Sequence, residues 1–289
     1  MIKRISVLAL LMVFTTNVFA ENEVPKEKVV TSSVYLNRGN IVMACQYLND
    51  QEYSGPVSGA GLEFGAMYKR SKNLSWDIEL TYLGSSYSPT APNVCVGNPA
   101  RTSFYVLKTL DVDYGTYYNW NPVKNLLFKA GGTFNVLGGL INAVPEHVNN
   151  AMEFDIQTQL KASVGVKYGW YFKKFGLSLQ ADVSVPFIGM ALSSSLYESS
   201  IDSLVGGELL GGTMNPFFFT SFHNLKGFNT EIGLDLIFKK TTLFYVIEYN
   251  NRSWYLNGLQ NYRNYTLSRL GFKLDLVSRN RVNSGNRYF

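Results

Sequence analysis

Apolar and polar residues alternate along much of this chain. The clearest run is 154–168, in which eight Phe, Ile, Thr, Leu, Ala, Val and Tyr residues alternate with seven Asp, Gln, Lys, Ser and Gly residues. A period of two predicts a β-strand with one apolar and one polar face. These fifteen residues exceed the usual globular strand of about 5–6, and they suit a tilted strand that crosses a bilayer with about 9–11 residues.

The same alternation predicts ten strands. They cover residues 29–38, 59–69, 74–84, 103–118, 126–137, 153–171, 176–187, 226–239, 242–250 and 265–277. In the fourth segment the alternation slips at Lys108 and Thr109, which predicts a β-bulge. Aromatic residues gather toward the strand ends, as an interfacial belt requires: Trp76, Tyr82, Tyr118, Trp120, Tyr168, Trp170 and Phe238.

The connections between these segments alternate in length. Short polar turns follow the even-numbered strands, and long segments follow the odd-numbered ones at 39–58, 85–102, 138–152, 188–225 and 251–264. This sorting is typical of outer-membrane barrels, with short periplasmic turns and long extracellular loops. The prediction is therefore an all-β transmembrane antiparallel barrel of about ten strands over 29–277. A hairpin inside 188–225 would make twelve strands, and the run 217–219 could begin strand eight early.

The first twenty residues have the pattern of a signal peptide. Lys3 and Arg4 precede an apolar run over 5–14, and a small-residue cleavage site ends at Ala20. The division expected is a signal peptide at 1–20, a periplasmic segment at 21–28, the barrel, and a C-terminal tail at 278–289. Export to the outer membrane of a Gram-negative bacterium would make its lipids, lipopolysaccharide and the barrel-assembly machinery the expected partners.

Composition adds little to this interpretation. The chain has 19 Tyr, 19 Phe and 25 Gly, which suit a soluble β-sandwich as well as a membrane barrel, so the periodicity decides between them. The net charge of +5 falls to +3 once Lys3 and Arg4 are removed, and no basic run suggests a nucleic-acid partner.

The two cysteines fall in the first two long connections. Cys45 and Cys95 would both lie on the external, oxidising side, so we expect a disulfide between them. Together with His147 and His223 they do not form a metal-site spacing, and no metal or cofactor is expected.

The last third of the chain carries a family resemblance. The segment 185–189 (VPFIG), the polar-aromatic run 217–229, and the segment 254–265 (WYLNGLQNYRNY) closing on 270–272 (LGF) resemble the domain-of-unknown-function 3316 family of Bacteroides-type outer-membrane barrels. The resemblance covers about residues 150–277. It implies an outer-membrane location and brings no activity with it.

The polar strand faces are rich in ionisable residues, which would line the barrel interior. Unpaired buried charges are costly, so we expect a salt-bridge network that fills the lumen. The alternative is a narrow channel for ions or small polar solutes past Glu79, Asp111, Asp235 and Lys273. The full set is Glu63, Asp77, Glu79, Asp111, Asp113, Lys129, Asp155, Lys161, Lys167, Asp182, Glu231, Asp235, Glu248, Arg269 and Lys273.

An enzyme is not the expected function. Ser221 and His223 are two residues apart, so they would share a strand face near the outer rim, as in a lipid hydrolase. No orienting acid is identifiable, and this interpretation is the second alternative. The leading hypothesis is a structural envelope protein, or one that binds a ligand such as a glycan through its external loops.

Overall fold

Eleven antiparallel β-strands make up nearly all of the described chain. The computed structural model describes residues 28–45, 52–68, 73–89, 104–144, 152–172, 174–193, 217–221, 225–238, 241–256 and 259–277. None of these segments is a helix long and apolar enough to cross a membrane. The strands are β1 (Lys28–Cys45), β2 (Glu52–Tyr68), β3 (Leu74–Pro89), β4 (Phe104–Val123), β5 (Leu126–Val144), β6 (Met152–Tyr171), β7 (Gly176–Ser193), β8 (Phe217–Ser221), β9 (Leu225–Ile237), β10 (Thr241–Leu256) and β11 (Leu259–Val277).

The sheet closes on itself as a barrel. Strands β1 to β7 pair in chain order, β7 pairs with β9, and β9, β10 and β11 follow until β11 meets β1. β8 pairs with one end of β7 and β9 with the other end, so the two share one position in the wall. The barrel therefore has ten strand positions, and the predicted all-β barrel is confirmed. The twelve-strand alternative is wrong, because β7 bonds directly to β6, β8 and β9 and leaves no place for another hairpin in the ring.

The register of the pairs sets the tilt of the strands. A walk around the ring through paired residues leaves β6 at Gln157 and returns to it at Gly169, a shear of 12 residues (169 − 157 = 12). With about 3.3 Å per residue and about 4.7 Å between strands, that shear gives a tilt of about 40° and a rise of about 2.5 Å per residue along the axis. The 18 residues of β1 thus span about 45 Å, more than the apolar band of about 25 Å on such barrels.

A broad apolar belt surrounds the barrel. We call the end with the short turns the lower end and the opposite end the upper end. Outward side chains in the lower two thirds are apolar and exposed, including Leu80, Leu160 and Leu270. Aromatic rings border this belt below at Tyr118, Trp120, Tyr168 and Trp170, and above at Tyr82, Phe228 and Tyr249. Such a belt is the surface that lipid covers.

Above the belt the two faces of the strands exchange character. On β1, Arg38 and Asn40 point outward and are exposed, while Ile41 and Met43 point inward and are buried. The strands therefore continue as an extramembrane wall with a polar outside and a partly apolar inside. The predicted segments ended too early at the upper end because the apolar-out alternation stops there.

The predicted long loops are accordingly shorter than expected. The segment 251–264 was predicted as an external loop, but β10 runs to Leu256 and β11 begins at Leu259. Parts of 39–58, 85–102, 138–152 and 188–225 are likewise strand. The first and ninth predicted strands are both present, as β1 and β10, and 217–219 belongs to the short strand β8.

The predicted bulge at Lys108 and Thr109 is wrong. The register between β3 and β4 runs without a shift, with Lys108 outward and Thr109 inward. The apparent slip arises because Leu107 is an apolar inward residue and Lys108 a charged outward one, both above the lipid belt.

The wall is irregular where β8 and β9 share their position. Pro186, which has no N–H to donate, lies at a register shift between β6 and β7. β7 pairs with β9 up to Ser184 and with β8 only from Ile188. On β9, Gly227 has φ +149°, and a Cβ there would collide with the backbone oxygen of Asn251. Glycine is therefore required for the close approach of β9 to β10 at this point.

Candidate functional site in the barrel lumen

One polar cavity occupies the lower and middle lumen. Its volume is about 350 Å³, and it reaches from Thr31 and Asn119 near the lower end to Arg252 and Tyr265 in the upper half. Fourteen of the fifteen predicted lumen residues line it: Glu63, Asp77, Glu79, Asp111, Asp113, Lys129, Lys161, Lys167, Asp182, Glu231, Asp235, Glu248, Arg269 and Lys273. The fifteenth, Asp155, is part of β6, but its side chain is outside the described residues.

Arg269 is the centre of the charge network. Its Nη1 donates to Glu79 Oε1 at 2.7 Å, and its Nη2 pairs with the buried carboxylate of Glu248. Glu231 Oε1 is 3.9 Å from the same Nη2. The guanidinium also lies over the ring of Tyr35, 5.4 Å from its centroid. One arginine thus lies within 4 Å of carboxylates from three strands, which links β3, β9 and β10 to β11 across the lumen.

Tyr35 on β1 belongs to the same network. We call Arg269, Glu79, Glu231, Glu248 and Tyr35 the central hub. Its hydroxyl donates to Glu79, and its Oη is 2.6 Å from Thr81 Oγ1. The ring packs edge to face against Phe244, with the two centroids 6.2 Å apart. The hub therefore fixes a buried tyrosine as well as the carboxylates, and it crosses the middle of the barrel.

Three lysines form a ring in the lower part of the cavity. Lys129, Lys167 and Lys273 pair with Asp182, Asp235 and Glu63 at 2.8, 2.6 and 3.2 Å. Their side chains keep 26–34% of their surface exposed, against 5% for Lys161, which is 2.9 Å from Asp113 higher in the barrel. Both members of these three ion pairs line the part of the cavity that a solute would enter from the lower end.

The upper lumen is filled by buried side chains. Seven residues of β1, β2, β3, β4 and β11 form an apolar cluster, the upper plug: Ile41, Met43, Val57, Leu83, Leu107, Tyr265 and Leu267. On the other walls at this height the inward residues include amides that are also almost fully buried, Asn135, Gln159 and Asn250. The cavity therefore ends beneath a packed layer within the part of the chain that the structure describes.

Several of these interior residues were not predicted to face the lumen. Arg252 and Arg263 face the lumen and are each 4% exposed, yet both lay in a segment predicted as loop. The segment 250–253 is polar on both faces, with Asn251 and Ser253 outward, so it has no apolar alternation. The upper plug was not predicted either, because Ile41, Met43 and Val57 fall in the predicted loop 39–58 and apolar residues on the predicted strands were assigned to the lipid face.

The predicted disulfide and hydrolase pair extend beyond the described chain. Cys45 ends β1, while Cys95 is outside the described residues, so their bond stays a prediction. Ser221 shares the outward face of β8 with the exposed Phe219, and His223 is outside the described residues. The pairing of Ser221 with His223 therefore also stays a prediction. Among the described residues, no group of three or more His, Cys, Asp or Glu side chains could hold a metal ion.

Comparison with known sequences identifies the family. The model of the family described as "Protein of unknown function (DUF3316)" matches residues 6–279, almost the whole chain. The chain belongs to the DUF3316 family. The resemblance to this family in the last third of the sequence is thereby confirmed and extends through the entire barrel, whereas its assignment to Bacteroides-type bacteria stays a prediction. No curated protein matches the DUF3316 chain.

Solved structures similar to this DUF3316 barrel are also β-barrels. The outer membrane protease OmpT from Escherichia coli is 8% identical, with 89% of this chain and 99% of that chain covered and a TM-score of 0.44. The translocator domain of the autotransporter NalP from Neisseria meningitidis is 11% identical, with 94% and 97% covered and a TM-score of 0.38. Neisserial surface protein A is 10% identical, with 85% and 97% covered and a TM-score of 0.31. At these values the likenesses carry no argument about function.

Proposed function

We propose that this DUF3316 protein is a non-conducting outer-membrane barrel that acts through the wall and loops it raises above the membrane, as a structural or surface ligand-binding protein. The observation that carries the proposal is the filled upper lumen. A continuous water path would have to cross the upper plug and the buried amide layer, whose side chains have almost no accessible surface. The cavity below them is consequently closed at its upper end.

The charge network supports the same function. A path past Glu79, Asp111, Asp235 and Lys273, the channel alternative, would run through the pairs of Arg269 with Glu79 and of Lys167 with Asp235. Removing one partner of such a buried pair leaves an uncompensated charge, which costs about 3–5 kcal/mol. These bonds across the lumen stabilise a closed barrel and leave its upper rim as the accessible surface.

The height of the strands supports a role outside the membrane. β1 spans about 45 Å at a rise of about 2.5 Å per residue, so roughly a third of the wall stands above the apolar belt. Its outer surface there is polar, as at Asn40 and Thr266. A wall of this height carries the loops well clear of the bilayer, where a glycan or another surface ligand can reach them.

Outer-leaflet lipopolysaccharide is the lipid partner that the outer surface favours. Among strand residues with described side chains, the outward ones that are charged at neutral pH are three cations, Arg38, Lys108 and Lys226, and all lie above the apolar belt. Cations at this level suit the phosphate groups of that glycolipid. Replacement of Arg38 and Lys108 by Ala should lower the lipopolysaccharide that copurifies with the barrel; unchanged amounts would contradict this partner.

Single-channel recording in a planar bilayer tests the proposed function. Refolded wild-type protein with heat-modifiable gel mobility should insert without discrete current steps. The triple variant Ile41→Ala, Leu107→Ala and Leu267→Ala removes side chains from the upper plug and should conduct. The matched control changes outward residues of the same strands, Leu36→Ala, Leu110→Ala and Leu270→Ala, and should be silent. Reproducible current steps from the wild type, changed by Asp235→Asn, would favour the channel alternative instead.

The hydrolase alternative has its own readout. If Ser221 and His223 act together, purified barrel should release acyl product from outer-membrane lipid, and His223→Ala should abolish the release. We expect no acyl release from the wild type, since no orienting acid was identified for the pair.

A further inference from the structure

The top of the cavity is lined by an arginine with incomplete partners. Arg252 faces the lumen from β10 and is 4% exposed, and its Nη1 has no hydrogen-bond partner among the described residues. The nearest described carboxylate oxygen, Asp111 Oδ2, is 3.8 Å from its Nη2, beyond hydrogen-bond distance. Asp111 also accepts a hydrogen bond from the amide of Asn135. A buried guanidinium with an unused donor is costly unless another group satisfies it.

A second arginine increases the positive charge at this point. Arg252 and Arg263 are directly opposite each other in the ladder between β10 and β11, and both face the lumen. Like charges in directly opposed positions of a sheet destabilise it. Arg263 has partners of its own, so the site proposed below rests on Arg252. Two guanidinium groups thus lie side by side near the upper end of the cavity.

The surroundings of Arg252 suit an oxyanion. Asn250, one inward position below on β10, donates its amide to Tyr265 Oη at 2.9 Å. The acids beneath Arg252 are already engaged, with Asp113 paired to Lys161 at 2.9 Å and Glu248 to Arg269. Guanidinium N–H groups form a rigid fork that matches the oxygens of a carboxylate or a phosphate.

The lower end of the cavity provides the entrance. Lys129, Lys167 and Lys273 are the more exposed lysines of the lumen, and they ring the cavity near its lower end. Each of their ammonium groups is paired with a carboxylate at 2.6–3.2 Å. An anion that enters from below would pass these ion pairs before it reached Arg252.

We propose that the closed end of the cavity is an oxyanion-binding site, in which Arg252 holds the carboxylate or phosphate group of a small solute that enters from the lower, periplasmic side. The inference goes beyond the proposed surface role, because it assigns a ligand to the interior. It does not require that the upper lumen conduct.

Thermal unfolding of the refolded barrel in detergent tests this site. Sodium phosphate and sodium acetate are titrated separately against sodium chloride at matched ionic strength. At least one oxyanion should raise the wild-type unfolding temperature by about 3 °C or more above the chloride value, because a ligand that binds only the folded state stabilises it. A response to acetate alone identifies a carboxylate site and a response to phosphate alone a phosphate site. Equal shifts in all three salts would overturn the proposal.

Two variants locate the binding. Arg252→Gln should lose the oxyanion shift, and Lys124→Gln, which changes an exposed lysine in the turn between β4 and β5, should keep it. Retention of the full shift in folded Arg252→Gln would overturn the proposal. Should Arg252→Gln fail to fold, Arg252→Lys keeps the charge without the fork and should reduce the shift; an undiminished shift there would equally contradict the site. These outcomes are separate from the bilayer recordings, since neither variant changes the upper plug.

Discussion

Tyr35 and Gly61 are opposite each other in β1 and β2, and the tyrosine ring occupies the space that a side chain at position 61 would need. On the other side of Tyr35, its partner in β11 is also a glycine, Gly271. The ring can therefore lie flat along the interior wall and bring its hydroxyl to Glu79. The central hub thus depends on two residues that have no side chain.

Gly61→Ala should destabilise the barrel. A Cβ at this position overlaps the ring and hydroxyl of Tyr35, so the hub must shift, at about 1–3 kcal/mol for an overpacked core. Gly132→Ala is the matched control, because its Cβ would meet only the backbone oxygen of Lys161, at 3.6 Å. Urea unfolding in lipid vesicles measures both. Equal midpoints for the two variants would contradict the close contact of Tyr35 with Gly61.

Arg269→Met should be among the most damaging single changes in the lumen. It leaves the carboxylates of Glu79 and Glu248 without their cationic partner, and breaking a buried pair costs about 3–5 kcal/mol. The double variant Arg269→Met with Glu248→Gln removes one of the unpaired charges. It should recover part of the lost free energy of unfolding in the same urea assay. A strictly additive double-mutant cycle would show that the two residues are not coupled.

Leu270→Arg should cost much more than Thr266→Arg. Both residues are on the outward face of β11, and Leu270 lies four residues further down, within the apolar belt. Arginine on the lipid face costs about 2–4 kcal/mol near the bilayer midplane and about 0–1 kcal/mol near the interface. Folding free energies in vesicles compare the two substitutions. Similar penalties would place the membrane at a different height on the barrel.

Oxidation of Cys45 and Cys95 should stabilise the exported protein. A disulfide that closes a loop of this length contributes about 3–4 kcal/mol if it is unstrained. Mass spectrometry of alkylated, unreduced protein should find both thiols blocked to alkylation, and the urea midpoint should fall on reduction. Cys45→Ser should have the reduced midpoint whether or not reductant is added. Free, alkylated thiols in protein isolated from the outer membrane would rule out the bond.

Much of the barrel could be predicted from the sequence, and the reason is lipid. Where the outside is apolar and the inside polar, as from Trp76 to Tyr82, alternation fixes both the strand and the direction of each side chain. The lower strand ends were therefore predicted within a few residues. Fourteen inward charges could be named for the same reason, because a charged residue in such a strand has only the interior to face.

The upper barrel could not be predicted in this way, because both faces lose their contrast there. Ile41 and Leu107 are apolar and inward, while Arg38 and Lys108 are charged and outward. The rule that apolar strand residues face lipid and charged ones face the lumen therefore assigns them to the wrong face. Arg252 was taken for a loop residue because its neighbours are polar on both sides. Which charges pair is also not a local property, since Arg269 and Glu79 are 190 residues apart in the chain.

The lumen is packed in its upper part and contains a cavity below, and thiol labelling distinguishes this arrangement from an open lumen. In a background with Cys45→Ser and Cys95→Ser, single Ser→Cys changes are made at Ser184, which lines the cavity, and at Ser85, which is buried above it and does not line it. Ser58→Cys, on the exposed outer face, is the positive control. A small cationic methanethiosulfonate reagent is added to the folded barrel, and mass spectrometry gives the rates. Ser184→Cys should react at least about tenfold faster than Ser85→Cys, since a tenfold rate ratio needs only about 1.4 kcal/mol of difference in access. Equal, fast labelling of both positions would mean an open lumen and would contradict the account.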